Sequence, residues 1–376
     1  MEKTNELTRS TQDWTAEDLR WIRNALELAE RGWGRVDPNP LVGAIVVRDG
    51  TMVGSGYHAE YGGPHAEVVA LRQAGAEAEG ATLYLTLEPC AHHGKTPPCT
   101  EAVLESGVTR VVIAAPDPNP LARGGIERLR EAGLEVVVGV EEERARALNA
   151  IFYHRHQASR PYLALKYGLT LDARISERPD RPTQITGAAA HAEVHRLRAG
   201  FQAIMVGSGT AEADDPLLTV RGELVPRRPP ARVIIDTEAR LSPKMRLFQT
   251  IPEAPLYLLV AEDLPTTRVE ELEGYGAEVI PVPRGGEGLD LEAALDQLGE
   301  RGIDSIFCEG GGRLGSALLQ ARLVDRLYLF YAPFLLGGDT VPAFPGPLQT
   351  KPNEWIQTRL ETFDNDFLVV LDRRNP

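Results

Sequence analysis

Apolar and polar positions alternate along the first part of the chain in stretches that predict helices and strands in turn. An apolar stripe from Leu19 to Ala29 recurs at helical spacing, and Thr15 can cap that helix, with Asp18 three residues on. Asp49-Gly50 is a hairpin turn signal. Short apolar runs predict strands at Leu41–Val47, Met52–Tyr57, Thr82–Thr86, Val108–Ala114 and Leu134–Val138.

Two more helices are expected in this part of the chain. One follows Pro64 and carries His65 and Glu67 in its first turn. The other opens at Glu88-Pro89-Cys90, which would place a thiol near a helix N-terminus. The alternation to about residue 150 predicts one α/β/α sandwich.

The polar and basic segment Phe152–Pro161 is predicted to be a boundary, because the alternation restarts beyond it. Strands are expected at Tyr162–Tyr167, Ala203–Val206, Arg232–Ile235, Leu256–Val260, Glu278–Pro281, Ser305–Cys308, Tyr328–Tyr331 and Phe367–Leu371. Helices are expected at Ala188–Ala199, Leu289–Leu298 and Leu314–Ala321. The pattern therefore predicts two α/β domains, over residues 15–151 and 160–374.

Composition narrows the class of protein. A chain of 376 residues suits two domains, and its net charge of −14 argues against nucleic acid as the main partner. Three cysteines make no disulfide framework, so a cytoplasmic location is expected. Residues 1–14 hold no signal-peptide core, and the longest apolar stretch, Leu327–Leu336, is too short to span a membrane.

One cluster of residues has the composition of a catalytic zinc site. His65, Cys90 and Cys99 supply one nitrogen and two sulfurs, which leaves a tetrahedral zinc one open position. Glu67 is a non-ligand carboxylate that can shuttle protons, as in the signature of zinc nucleobase deaminases. Eight residues separate these cysteines instead of the usual two. A second H-A-E, from His191 to Glu193, has no cysteine pair after it and is interpreted as a solvated helix face.

Several residues near the metal cluster are open to two interpretations. Asn39 is either a turn residue before proline or an amide that reads a heterocycle. His58, His92, His93 and Lys95 cluster around the metal ligands in the sequence. The loop that carries His92, His93 and Lys95 could hold a phosphate, or these residues could have no binding role.

Glycine turns follow two predicted strands of the second domain. Glu309 precedes a G-x-G-x-x-G pattern, and Gly207-Ser208-Gly209-Thr210 forms another turn. These turns could bind the phosphates of a dinucleotide at the carboxyl edge of the sheet, or could only allow close helix packing. Arg198 and Arg221 flank this region and are candidate phosphate ligands.

Short motifs occur together in both halves of the chain. In the first half they are N-P-L-V-G from Asn39, H-A-E from His65, E-P-C-A-H-H-G-K-T-P-P-C ending at Cys99, and D-P-N-P from Asp117. In the second half they include Thr170-Leu-Asp172, Ala213-Asp-Asp-Pro216, Leu218-Thr-Val-Arg221 and Glu309-Gly-Gly. Over residues 17–372 the chain thereby resembles the bifunctional deaminase/reductase family of riboflavin biosynthesis.

The resemblance implies a cytidine-deaminase-like sandwich followed by a dihydrofolate-reductase-like domain. The first would use Zn²⁺ to deaminate 2,5-diamino-6-(5-phosphoribosylamino)pyrimidin-4(3H)-one, and the second would reduce the ribosyl group of the product with NADPH. Asn39 and His58 would contact the pyrimidine nucleotide, and Lys166 would lie near the hydride transfer. The cofactor site would be lined by Gly168, Gln184, Thr210, Asp214, Thr237, Gly311 and Gly312. The phosphoribosyl substrate would be held by Arg198, Leu217, Arg221 and Glu309.

Two departures from the family pattern concern the reductase half. Gln184 stands where the family has a tryptophan, and Ala173 stands where it has a glycine. Cofactor affinity is therefore expected to differ. The resemblance also implies a homo-oligomer formed through this domain, although the sequence itself does not give the oligomeric state. The rival interpretations are a tRNA or free-nucleoside deaminase, and a non-enzymatic protein with a structural metal.

Overall fold

The protein folds into two compact units. The computed structural model describes residues 14–92, 98–179, 183–286, 288–346, 348, 350–351 and 353–374. Backbone contacts divide the chain between Ala150 and Ile151. Each unit has an apolar core of its own. None of the helices in the described ranges combines the length and the apolar character that crossing a membrane requires.

Unit 1, up to Ala150, is a five-stranded sheet with helices packed on it. Its strands are β1 (Gly43–Arg48), β2 (Thr51–Tyr57), β3 (Thr82–Leu87), β4 (Arg110–Ala115) and β5 (Glu135–Val138). Its helices are α1 (Ala16–Ala29), α2 (Ala66–Ala74), α3 (Cys99–Glu105), α4 (Gly125–Glu131) and α5 (Glu142–Leu148), with 3₁₀ turns at Glu30–Gly32 and Gly75–Ala78. The strand order is β2-β1-β3-β4-β5. β1 is antiparallel to β2 and β3, whereas β3, β4 and β5 are parallel.

Helix α1 begins where its capping signal predicts. The Asp18 N–H donates to Thr15 Oγ1 at 3.1 Å, and the Thr15 N–H donates to Asp18 Oδ2 at 2.9 Å, so two orphan donors of the helix end are satisfied. The same carboxylate is buried and accepts from Arg110 on β4 and from Tyr84 on β3. One side chain therefore both starts the helix and fastens it to the sheet.

Unit 2, from Ile151, contains a nine-stranded sheet and two sheets of two strands each, which together make thirteen strands among the described residues. Its strands are β6 (Tyr162–Thr170), β7 (Arg174–Ser176), β8 (Ala203–Gly207), β9 (Ala231–Ile235), β10 (Leu256–Ala261), β11 (Glu278–Val282), β12 (Arg284–Gly285), β13 (Gly288–Leu289), β14 (Ser305–Cys308), β15 (Arg326–Ala332), β16 (Val341–Pro342), β17 (Trp355–Phe363) and β18 (Asp366–Arg373). Its helices are α6 (Ala150–Arg155, which starts at the last residue of unit 1), α7 (Ala188–Arg198), α8 (Ser208–Asp214), α9 (Arg246–Gln249), α10 (Thr266–Gly274), α11 (Leu291–Glu300) and α12 (Gly312–Gln320).

The topology of the large sheet gathers chemically useful residues at one edge. The order is β11-β10-β9-β8-β14-β6-β15-β18-β17. The first seven strands in this order, which end with β15, run parallel to one another. The last two strands, β18 and β17, pair in antiparallel fashion. The carboxyl ends of β9, β8 and β14 are therefore adjacent, which brings Thr237, Thr210 and Glu309 to the same edge.

The predicted α/β fold class is confirmed, and three details of the structure differ from the expectation. No helix opens at Glu88-Pro89-Cys90: residues 88–92 are irregular, and helix α3 begins at Cys99. The Glu88 carboxylate instead accepts three main-chain N–H groups, which fixes this segment as a loop. Helix α6 covers the first four residues of the segment Phe152–Pro161, which was predicted to be a boundary. Strand β17 was not predicted, because an edge strand with mostly exposed side chains lacks a buried apolar pattern.

Candidate functional site

Three ligand atoms converge in unit 1. His65 is the N-cap residue of α2, Cys99 is the first residue of α3, and Cys90 lies in the loop after β3. His65 Nδ1 lies 3.0 Å from Cys99 Sγ and 3.8 Å from Cys90 Sγ. Among the described residues, this is the only group of at least three His, Cys, Asp or Glu residues whose ligand atoms lie within 4.8 Å of one another.

The donor chemistry of this trio fits zinc. Zinc bonds of about 2.0–2.3 Å to nitrogen and sulfur place the donor atoms of a tetrahedral site roughly 3.5–3.8 Å apart. The separation of 3.8 Å between His65 Nδ1 and Cys90 Sγ lies in this range, and the separation of 3.0 Å between His65 Nδ1 and Cys99 Sγ is shorter. The hydrogen bond from the Cys99 thiol lowers the pKa of the Cys90 thiol despite its burial, which favours the thiolate form that binds zinc. The hydrogen bond to Cys90 raises the pKa of His65. Because three protein donors leave one position open, the arrangement is that of a catalytic site.

Glu67 lies beside the trio with a free oxygen. It is 3% exposed in the first turn of α2, and burial raises the pKa of its carboxyl group. Its Oε2 atom has no hydrogen-bond partner among the described residues. A buried carboxyl with an open oxygen next to a metal site can accept and return a proton.

Both ring nitrogens of His58 have hydrogen-bond partners within the protein. Its Nδ1–H donates to Pro64 O at 3.1 Å, and its Nε2 accepts from Asn39 Nδ2 at 3.0 Å. Burial lowers the pKa of His58, which keeps the ring neutral, and the ring packs edge-on against His65. Asn39 is thereby held in one orientation, and no partner of its amide oxygen occurs in the described part of the chain.

The sequence did not predict that two carboxylates, Glu88 and Asp117, lie next to each other in unit 1. Glu88 accepts from the N–H groups of Asp117 at 3.0 Å, Gly124 at 2.8 Å and Ile126 at 3.2 Å. Burial raises the pKa of Asp117 to about 6, with the charge of Glu88 adding to the effect. The E-P-C and D-P-N-P motifs carried both residues, but nothing in their spacing indicates this contact.

The predicted phosphate ligands near the cysteines are only partly described. His92 is exposed, whereas His93 and Lys95 lie outside the described residues. Asn149 was not predicted to act in unit 1, yet its side chain binds both main-chain groups of Leu41, at 2.7 and 2.9 Å. This pair anchors the segment that carries Asn39.

A second cluster of charges lies in unit 2. Glu309 directly follows β14, and its side chain is 11% exposed. Arg198 Nε donates to Glu309 Oε1 at 2.5 Å, and Lys166 Nζ lies 3.6 Å from Glu309 Oε2. Burial opposes ionisation of Glu309, but Arg198 and Lys166 outweigh it and lower the carboxyl pKa to about 2. Burial lowers the pKa of Lys166.

The two glycine turns are joined to each other. The Gly311 N–H donates to Thr210 Oγ1 at 3.1 Å, across the neighbouring strands β14 and β8. A Cβ atom at Gly209 would meet open space, which leaves room for a ligand. A Cβ atom at Gly312 would lie 2.7 Å from Pro342 O, so that glycine allows close packing. The open space at Gly209 and the close packing at Gly312 give each of the two interpretations that the sequence left open a structural basis.

The remaining predicted cofactor and substrate residues lie on several elements of unit 2. Gly168 is within β6 and faces Thr186, and Asp214 ends α8. Thr237 follows β9, Leu217 is half-buried after α8, and Gln184 is exposed.

The two predicted phosphate-binding arginines have different surroundings. Arg198 is bound to Glu309 and donates to Thr219 O at 2.9 Å. Arg221 is exposed and contacts His195. Arg198 therefore orders the site, whereas the guanidinium of Arg221 has no carboxylate partner within the described ranges.

The second H-A-E segment is only partly a solvated face. His191 is exposed, as predicted. Glu193 is 7% exposed and pairs with Arg196 at 2.6 Å and with Arg359 at 3.1 Å, so the prediction for Glu193 is wrong. A charge this well paired can be buried, and the sequence around H-A-E does not reveal the distant Arg359.

Comparisons with known proteins agree with this division. Residues 15–115 match the cytidine and deoxycytidylate deaminase zinc-binding region, and residues 161–369 match the RibD C-terminal domain. The chain is 43% identical to the riboflavin biosynthesis protein RibD of Escherichia coli (strain K12), over 86% of this chain and 89% of that protein. The corresponding protein of Aquifex aeolicus is 42% identical, over 85% and 88%.

Solved structures show the same similarity over almost the whole chain. Acinetobacter baumannii RibD has a TM-score of 0.79 at 35% identity and covers 96% of this chain and 99% of its own. A diaminohydroxyphosphoribosylaminopyrimidine deaminase/5-amino-6-(5-phosphoribosylamino)uracil reductase from Thermotoga maritima has a TM-score of 0.78 at 36% identity, with coverage of 95% and 99%.

Proposed function

Because this chain belongs to the RibD family of bifunctional deaminase/reductases in riboflavin biosynthesis, we propose that its two units catalyse consecutive steps. Unit 1 deaminates 2,5-diamino-6-(5-phosphoribosylamino)pyrimidin-4(3H)-one. Unit 2 reduces the resulting 5-amino-6-(5-phosphoribosylamino)uracil with NADPH. The observation that carries the proposal is the trio of His65, Cys90 and Cys99 beside the open oxygen of Glu67.

In the deaminase site the residues of the chain orient the substrate and move protons. When bound, zinc makes water nucleophilic at neutral pH. Glu67 takes a proton from the attacking water, and it returns protons to the ring nitrogen and to the departing amine, which leaves as ammonia. Asn39, fixed by His58, presents its amide to the edge of the pyrimidine.

In the reductase site the charged cluster supplies a proton and a binding surface. When bound, NADPH supplies the hydride that C1′ of the ribosyl group receives. As the C1′–O4′ bond breaks, the Lys166 ammonium gives a proton to O4′, so that one hydride and one proton complete the reduction. Glu309 keeps Lys166 in place through a contact of 3.6 Å.

The cofactor is held, in this proposal, at the edge where β8, β14 and β6 lie side by side. Thr210, Gly311 and Gly312 contact its phosphates, and Gly168, Gln184, Asp214 and Thr237 line the rest of its site. Arg198, Leu217, Arg221 and Glu309 hold the phosphoribosyl substrate. The joined turns and the open space above Gly209 support this division.

We also propose a reducing, cytoplasmic location and a homo-oligomer formed through unit 2. All three cysteines are free thiols, and ligand thiols need reducing conditions. Strand β17 lies at the edge of the large sheet and exposes Ile356 and Leu360, which a second copy could cover. Sedimentation of the wild type and of Leu360→Lys tests the oligomer, which the charge should weaken.

The enzymatic proposal is tested with the whole zinc-loaded protein. Ammonia should be released from the diaminopyrimidine, and NADPH should be oxidised only after deamination. Glu67→Gln should keep its zinc and lose deamination by about 10²- to 10⁴-fold, because a carboxamide cannot shuttle the proton. Release of ammonia from cytidine but not from the phosphoribosyl compound would instead support a free-nucleoside deaminase.

The two H-A-E segments provide a matched control for the metal site. His65→Asn should lose zinc, whereas His191→Asn, at a histidine that is also followed by Ala-Glu-Val, should keep it. Equal zinc contents in both variants would contradict the assignment of His65 as a ligand.

A further inference from the structure

His195 and Arg221 make an unusual double contact in unit 2. The Arg221 main-chain N–H donates to His195 Nδ1 at 3.1 Å, and Arg221 Nη2 lies 3.4 Å from His195 Nε2. One residue thus faces both nitrogens of the imidazole. His195 is half-buried on α7, and Arg221 is exposed in the segment after α8.

The first contact fixes the tautomer of His195. Because Nδ1 accepts a hydrogen bond, the proton of the neutral ring is on Nε2. Burial lowers the pKa of His195 to about 4, and the charges of Arg198 and Arg221 add to the effect, so the ring is neutral at neutral pH. The Nε2–H group therefore points toward the same region as the guanidinium of Arg221, and neither can accept from the other.

Two donors that face one region need a shared acceptor. Arg221 has no carboxylate partner within the described ranges, whereas Arg198, three residues beyond His195 on α7, is neutralised by Glu309 at 2.5 Å. A fixed N–H next to an unpaired guanidinium suits an anion with several oxygens, because a guanidinium binds phosphate through two parallel hydrogen bonds.

The pair lies at the reductase site and not elsewhere on the surface. His195 is close enough to Glu309 to interact with it electrostatically, and Arg198 joins the same carboxylate to α7. A metal does not explain the pair, because Nδ1 of His195 is occupied and no group of three ligands occurs here among the described residues.

We propose that His195 is a specificity-determining residue of the reductase site, whose Nε2–H binds the terminal phosphate of the phosphoribosyl substrate together with Arg221. This inference rests on the proposed function for the identity of the substrate. NADPH also carries phosphates, but the proposed function assigns those groups to the turns with Thr210, Gly311 and Gly312. The pair therefore recognises the substrate phosphate and distinguishes it from a phosphate-free ribosyl compound.

Two substitutions separate binding from a structural role. His195→Asn keeps an acceptor near the Nδ1 position for the Arg221 N–H but has no donor at the Nε2 position. His195→Gln places an amide N–H near the Nε2 position. A hydrogen bond to a charged group predicts that His195→Asn raises KM for the phosphorylated substrate about ten- to a hundredfold, with kcat nearly unchanged. His195→Gln should recover most of that loss.

The readouts are chosen to identify the phosphate that is bound. KM is measured with the phosphorylated substrate and with its phosphate-free analogue. Binding of NADPH and of NADH is measured by fluorescence, and binding of inorganic phosphate is measured by calorimetry. The penalty in His195→Asn should vanish with the phosphate-free analogue, NADPH affinity should not change, and inorganic phosphate should bind more weakly. His156→Asn is the control, because His156 interacts with Asp304 at the opposite, amino end of β14.

Three outcomes would overturn the inference: equal KM values for His195→Asn and the wild type, a penalty that persists without the phosphate, or a loss confined to NADPH and absent with NADH. The proposed function fails separately, if the wild type binds NADPH and inorganic phosphate but does not reduce the phosphoribosyl substrate. Circular dichroism of each variant confirms that the folded state is retained.

Discussion

Ala173 adopts a backbone conformation that is unfavourable for a residue with a side chain. Its φ of 56° lies in the left-handed region, which costs a non-glycine residue about 1–2 kcal/mol. The turn is nevertheless well defined, because the Ala173 N–H donates to Thr170 O at 2.9 Å and its carbonyl accepts from the Ala343 N–H at 3.0 Å. The alanine at this position is thus a source of strain.

We expect Ala173→Gly to stabilise unit 2 by about 0.5–1 kcal/mol, the relief of strain less the extra entropy of an unfolded glycine. Ala192→Gly, the same change at an exposed position of helix α7, should destabilise it by about 1 kcal/mol. Urea unfolding measures both. A loss of stability in Ala173→Gly would show that this turn does not strain the alanine.

At the residue scale, the sequence predicts those site residues whose chemistry requires them to lie close together in the chain. His65 and Glu67 are two residues apart at one helix end. Two cysteines together with a histidine are typical of a metal site. The pairing of Arg198 with Glu309 joins residues 111 positions apart, and no local pattern encodes such a contact. Sequence alone therefore finds candidate groups but not which arginine remains free to bind a ligand.

At the scale of elements, prediction succeeded where local and tertiary signals agree. Helix α1 has both a capping box and an apolar stripe, and β14 is predicted to the residue as Ser305–Cys308. It failed at Glu88-Pro89-Cys90, where a helix-start signal is overridden by the three main-chain bonds that the Glu88 carboxylate accepts. Tertiary contacts of a buried carboxylate outweigh local propensity.

The anchor of α1 makes unit 1 sensitive to acid. Burial opposes ionisation of Asp18, but hydrogen bonds from Arg110 and Thr15 outweigh it and lower the carboxyl pKa from 3.8 to about 2. A depressed carboxyl pKa contributes stability above the unfolded value of 3.8, and this contribution is lost as the pH falls toward 2. The shift corresponds to about 2 kcal/mol.

We expect the stability difference between the wild type and Asp18→Asn to be about 2 kcal/mol or more at pH 6 and to shrink as the pH falls from 4 toward 2. Tryptophan fluorescence during urea unfolding reports mainly on unit 1, which holds Trp14, Trp21 and Trp33. Glu135→Gln is the control, because Glu135 meets Arg110 with 65% of its side chain exposed and should contribute little. A pH-independent difference would contradict this account of Asp18.

Helix α12 lies against β6 through a position that only glycine fits. A Cβ atom at Gly315 would lie 1.8 Å from the Tyr167 hydroxyl oxygen, which is buried without a partner among the described residues. We expect Gly315→Ala to destabilise unit 2 by about 1–3 kcal/mol through overpacking. Tyr167→Phe removes the hydroxyl and should be neutral or stabilising.

A double-mutant cycle tests this packing. Gly315→Ala should cost less in the Tyr167→Phe background, and the non-additivity measures the contact. Gly274→Ala is the control, since open space surrounds Gly274 at the end of α10, and it should stabilise the unit by about 0.5–1 kcal/mol. Strict additivity in urea unfolding would show that the helix shifts away from Tyr167.

At the scale of the whole molecule, two chemistries are encoded in one chain with separate cores. The core of unit 1 includes Ile113 and Leu129, and that of unit 2 includes Leu163 and Ile306. The metal trio draws all its ligands from unit 1, whereas the Lys166–Glu309 pair belongs to unit 2. Loss of one site should therefore leave the other chemistry in place.

Cys90→Ser is the substitution that tests this independence. A neutral hydroxyl is a poor zinc ligand compared with a thiolate, so we expect the variant to lose zinc and deamination while NADPH-dependent reduction of the deaminated substrate stays close to that of the wild type.

Cys308→Ser is the matched control. Cys308 is a fully buried non-ligand in β14, so this variant should keep its zinc and instead destabilise unit 2, by about 1–3 kcal/mol for burying a hydroxyl. Elemental analysis, the two activities measured separately and urea unfolding decide the outcome. Full zinc occupancy in Cys90→Ser would remove Cys90 from the ligand set, and a parallel loss of reduction would show that the second chemistry depends on the first site.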